Sequence, residues 1–271
     1  MNLDILPLWL KGGALILSMT VAVEAGYRMD GWVARLNIKA TPGRLRGDWG
    51  VLVGGALSLL ALLLAFTVNM ANARYQTRRE LGVAEANAIS TVYLRAQLLN
   101  EPARTNMSLL TDRYARDRRA IFLAGDARAQ IARAQSASDA DEDGLWRATA
   151  LAVHDPANAS LNTSLLSAMN TMFDVAATRH EALQARVPPR ILLVLLLDSL
   201  LTAALIGYGL ASGNDRRRVG SFLLCLMVTL TMMLILDLDH PASGGIKILE
   251  GPLDRVVATI DRAEAAKTAA R

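Results

Sequence analysis

Apolar residues along this chain are gathered in long blocks separated by polar stretches. The clearest block runs from Val51 to Met70 without a single charge. A second covers Ile191 to Ala211 and is interrupted only by Asp198. A third covers Val219 to Leu236 and ends at Asp237. A fourth, Ile5 to Tyr27, is weaker and carries Lys11 and Glu24 near its ends, where long side chains can reach the interface. Crossing about 30 Å of hydrocarbon takes about 20 helical residues, so each block predicts a membrane span. The Ile5 block reads as a span and not as a signal peptide, because it has no basic leading segment and no small-residue cleavage site.

The pattern predicts an all-α, polytopic membrane protein with four spans in two hairpins. Residues 1–70 form the first transmembrane hairpin, 71–189 a polar helical-bundle insert, 190–240 the second hairpin and 241–271 an amphipathic tail. No proline lies between Gly50 and Asn100, so the second span predicts one helix that runs on into the insert, about 75 Å long. Its extension carries an apolar line at Leu81, Ile89, Val92 and Leu99. Pro102 suits the first turn of a next helix, with Met107, Leu110, Tyr114 and Ile121 at helical spacing and Gly125 at its end. The acidic run at 139–144 reads as a solvated turn before a short helix from Leu145 to Val153, and a reporter cysteine at Ser138 would be accessible. Asp155 caps a further helix with Pro156 in its first turn, which Pro188 and Pro189 end. In the tail, Leu253, Val256, Val257 and Ile260 share one helix face, which either docks on the bundle or lies in the membrane interface.

Composition sharpens this picture. Of 271 residues 52% are hydrophobic but only 5% aromatic, while 20% are charged, so apolar and polar residues serve different solvents. The net charge of +4 comes without basic clusters interleaved with aromatics, which argues against nucleic acid as a partner. Cys225 is the single cysteine, and His154, His180 and His240 are far apart, so no cysteine–histidine metal site is spelled out and no cofactor is implied. No phosphate loop, nucleophile elbow or paired-histidine signature points to an enzyme. The short loops carry Arg28, Arg35, Lys39, Arg44 and Arg46, then Arg216, Arg217 and Arg218. Counted alone, they belong in the cytoplasm of a bacterial inner membrane, which places the insert outside.

Two stretches are informative together. EANAISTVYLRAQLL, residues 85–99, follows the second span and precedes LLTDRYARDRRA. LDLDHPASGGIKI, residues 236–248, ends the fourth span and precedes GPL at 251–253. With two hairpins and a helical insert, the chain resembles the bestrophin-like family of bacterial membrane proteins, distantly likened to bestrophin anion channels. The resemblance implies a homo-oligomer in the bilayer with an ion, an anion by that likeness, as the permeant species. It also implies a cytosolic insert, opposite to the charge count. Where bestrophins line their pore neck with aromatics, the second span here offers Gly, Ala, Ser and Leu. The competing class is a structural, sensory or accessory membrane protein whose bundle does not transport.

Several residues are candidates for function. Gly50, Gly54, Ser58, Ala61, Ala65 and Asn69 fall within about a 100° arc of the second span. Such a seam serves helix packing or lines a pore. Asp198 lies near the middle of its span, where a lone carboxylate is costly, so it is expected to face protein or a wet cavity. Asp237, Asp239 and His240 could hold a cation or take part in gating, although residues two apart on a helix diverge by about 200°. The favoured alternative is an interfacial stop signal. Glu85, Asn87 and Arg95 are expected to make polar contacts with other helices of the bundle.

Overall fold

The computed structural model describes residues 7–35, 45–124, 127–210, 216–239 and 251–269. Among the described residues every regular element is helical: α1 (Leu8–Arg35), α2 (Leu45–Ala96), α3 (Ala103–Leu123), α4 (Arg128–His154), α5 (Asn162–Gln184), α6 (Pro189–Leu210), α7 (Arg216–Asp239) and α8 (Gly251–Ala269). A 3₁₀ segment, Pro156–Leu161, precedes α5. Four helices are long and apolar enough to cross a membrane, within Leu8–Met29, Trp49–Ala96, Pro156–Leu210 and Val219–Asp239. The chain divides into two units, Met1–Ala73 with Arg186–His240, and Arg74–Ala185 with Pro241–Arg271.

In the first unit α1 lies along α6 so closely that two glycines are required. A Cβ on Gly207 would stand 1.9 Å from the Val23 carbonyl oxygen, and one on Gly26 1.9 Å from that of Ala204. Ser199, Ala203 and Gly207 are buried one turn apart on α6, a small-residue stripe that lets the backbones approach. Thr229 of α7 packs its hydroxyl 3.8 Å from the Met19 sulfur. Several polar side chains in these helices bond their own backbone, which hydrocarbon favours. Ser58 donates to the Gly54 carbonyl, Thr67 to Leu63, Ser199 to Leu195 and Thr229 to Cys225.

The second unit is a helical bundle. Ile89, Val92, Ala96 and Leu99 meet Met107, Tyr114, Leu145, Leu165, Met169 and Met172 in one apolar core. The tail helix completes it. Leu253, Val256, Val257 and Ile260 are buried there, and Asp254 and Asp261 pair with Arg119 and Arg116 of α3. Tyr93 donates to Glu264 at 3.0 Å. Burial and that carboxylate push the Tyr93 phenol up to about 12. Asp155 accepts from the Ala157 amide as expected of a cap, but the turn it starts is 3₁₀ and α5 begins at Asn162.

The acidic run is a correction. Residues 139–144 form no turn: α4 is one helix from Arg128 to His154. Asp141 is buried because it falls on the stripe of Leu145, Ala148 and Ala152 and pairs with Arg113 of α3 at 2.5 Å. Asp139 and Asp143 stay exposed. Ser138 lies on the buried side, so a reporter cysteine belongs at the exposed Ser136 instead. Pro102 stands just before α3, and Gly125 lies outside the described residues.

Candidate functional site

Within the first unit, α2 shows two unlike faces. Leu60, Leu64, Thr67 and Ala71 are buried in the chain. Gly50, Gly54, Ser58, Ala61, Ala65 and Asn69 are exposed. At about 100° per residue the two stripes are centred roughly 120° apart. A Cβ added at Gly50 or Gly54 would meet nothing within 4 Å. Among the described residues the small residues are therefore not spent on packing inside one chain, and the close helix contact is made by Gly26 and Gly207. Trp49 closes one end of the packed region: its indole donates to the Leu205 carbonyl at 3.3 Å and its ring lies 4.6 Å from that of Tyr208.

Asp198 is half-buried, and its Oδ2 is inaccessible without a hydrogen-bond partner among the described residues. The hydroxyl of Thr202, one turn on, is in the same state. Asp239 fastens the end of α7 to the irregular segment entering α6. Its carboxylate accepts from the Val187 amide at 2.9 Å, and its carbonyl accepts from Arg186. Asp237 is also buried, while His240 lies outside the described residues.

The second unit buries a charge cluster. Glu85 of α2 is fully buried between Arg118 of α3 and Arg179 of α5, bonded to both. The Arg118 guanidinium lies 6.0 Å from the centre of the Tyr114 ring, and the Tyr114 hydroxyl donates to Glu142 at 3.1 Å. Burial pushes the Glu142 carboxyl up, against the Tyr114 hydrogen bond and Arg118. A cavity of about 400 Å³ opens beside this cluster, lined by Arg118, Asp139, Glu142, Phe173, His180 and Glu181. Arg95 donates to the Ser164 carbonyl, and Asn87 is exposed. Arg78, also fully buried, donates to the Ala182 and Ala185 carbonyls and so closes the C-terminal end of α5.

Sequence reasoning singled out Glu85 but missed Arg118, Arg179, Gly26 and Gly207. The arginines stand among many others, and each glycine lies in an apolar run with nothing local to mark it.

No curated protein sequence matches the chain. Among solved structures it is similar to a bacterial bestrophin homologue from Klebsiella pneumoniae carrying a tryptophan-to-alanine change. That match has 15% identity and a TM-score of 0.58 and covers 94% of this chain and 96% of that one. A membrane protein with a proline-to-alanine change matches with TM-score 0.57 and 15% identity, over 92% and 96% of the two chains. These likenesses establish a shared fold. A family model described as the bestrophin-like domain matches residues 45–253, most of the chain, and the protein belongs to the bestrophin-like family.

Proposed function

We propose that the chain assembles into a homo-oligomeric membrane channel whose ion path is lined by the small-residue face of α2. The observation that carries this reading is the exposure of Gly50, Gly54, Ser58, Ala61, Ala65 and Asn69 on a helix whose other face is packed. An apolar helix leaves such a stripe free for another copy of itself, and glycine, alanine and serine leave room for water. Family membership and the resemblance to bestrophins support conduction, of anions by the more distant likeness. The test is recording from purified protein in planar bilayers. Unitary currents in chloride salts are expected, and Gly54→Leu is expected to abolish them and to lower the oligomer mass in mild detergent. Silence in several salts, with mass unchanged by Gly54→Leu, favours a structural, sensory or accessory role.

For orientation, the charge count is closer than the short loops suggest. Arg74, Arg78, Arg79, Arg179, Arg186 and Arg190 lie near the span ends on the insert side. With the two sides nearly balanced, we infer the orientation that the family resemblance implies, with the insert in the cytosol. In a Cys225→Ser background, Ser136→Cys is then labelled by an impermeant thiol reagent only after permeabilisation. Labelling in intact cells would restore the outside insert that the short loops favour.

A further inference from the structure

We propose that Asp117 of α3 holds a proton against the buried carboxylate of Asp141 of α4, making the contact between these helices sensitive to pH. Three observations meet there. Asp141 is 1% exposed, and while its Oδ1 accepts from Arg113 at 2.5 Å, its Oδ2 is inaccessible and has no hydrogen-bond partner among the described residues. Ser138, one turn earlier on the same stripe, is 0% exposed, and its hydroxyl is also without a partner. Asp117 is brought to them by register. Arg113 meets Asp141 and Tyr114 meets Glu142, so the antiparallel pair sets Asp117, one turn beyond, level with Ser138 and within hydrogen-bonding reach of Asp141.

The charges leave one positive charge missing. Two carboxylates face one guanidinium, Arg113, where the Asp141 carboxylate is closed to water. Several other charges on the adjoining helices are engaged. Arg116 holds Asp112 and Asp261 of α8, Arg119 holds Asp254, and Arg118 holds Glu85, which also takes Arg179 of α5. Glu142 of α4 accepts from Tyr114. Two carboxylates in contact do not both ionise readily. Burial first, then Asp141, pushes the Asp117 carboxyl up, and Arg113 opposes them. A proton on Asp117 donates to the open Oδ2 of Asp141 and leaves the site neutral. Because the folded state binds this proton more tightly than the unfolded chain, the contribution is complete below the ordinary aspartate range. It is lost as pH rises through the raised value.

The experiment uses the full chain in mild detergent, with thermal unfolding followed between pH 4 and 8. Glu142 titrates in the same direction, so the readout is the difference between the parent and Asp117→Asn. The amide donates to Asp141 without charge. Asp117→Asn is expected to unfold about 2–4 °C above the parent at neutral pH, with the gap closing in acid. The infrared band of a protonated carboxyl, present in the parent at mildly acidic pH, should weaken in the variant. A parallel shift of the whole profile, or an unchanged band, overturns the proposal. So does a rise in the parent's neutral midpoint on adding sodium or calcium that Asp117→Asn does not share, because the missing charge is then a metal ion.

Discussion

Glu85→Ala is expected to destabilise the insert by about 3–5 kcal/mol, the usual cost of breaking a buried ion pair by removing one partner. The carboxylate is 0% exposed, and both its arginines are nearly so, at 6% and 3%. Its loss removes the buried carboxylate that two guanidinium groups from different helices share. The effect comes from the stranded charges more than from lost attraction, and this sets the control. Glu85→Leu combined with Arg118→Met removes a carboxylate and a cation together and should recover part of the loss, as apolar replacements of buried pairs do. Limited proteolysis of the insert and its thermal midpoint provide the measurement. If Glu85→Ala unfolds at the parent's temperature, the cluster is not what joins α2, α3 and α5.

Gly207→Val is expected to detach α1 from α6. The added Cβ would stand 1.9 Å from a backbone oxygen, which cannot rotate away. A β-branched side chain widens the clash, so the helices must separate and give up the packing of Ser199 and Ala203 around it. Overpacking costs about 1–3 kcal/mol where neighbours can yield, and a rigid backbone sets this substitution at the upper end. Gly220→Ala is the matched control, because a Cβ there meets nothing within 4 Å. The midpoint in detergent should drop for the first and hold for the second. Equal midpoints would mean that α1 is not held at this crossing.

Much of this architecture could be read from local pattern. The uninterrupted run from Gly50 to Asn100 contains no proline, and α2 follows it closely, from Leu45 to Ala96. The tail stripe at Leu253, Val256, Val257 and Ile260 is buried as its spacing suggests. The failures share a cause, which is dependence on a distant partner. Charge density made residues 139–144 look like a turn, and only Arg113 explains why one of those carboxylates can go inside. The small-residue period on α2 was legible, but a period does not say whether a neighbour covers it. The residue type at Gly207 carries no sign that Val23 will approach it. Glu85 could be flagged as a charge in need of partners, yet nothing local separates Arg118 from Arg116 or Arg119 on the same helix.

The place of α8 in the bundle has a consequence for synthesis. Four residues of its face close the core that α2 to α5 begin. The ribosome makes residues 186–250, including two apolar helices, after the last of that bundle and before this face. At usual elongation rates the interval is on the order of 3–13 seconds. During it, the side of the bundle that will receive Leu253, Val256, Val257 and Ile260 is open while α6 and α7 are being inserted. The insert therefore cannot finish folding in order of emergence. Its core closes only on a helix that is synthesised last.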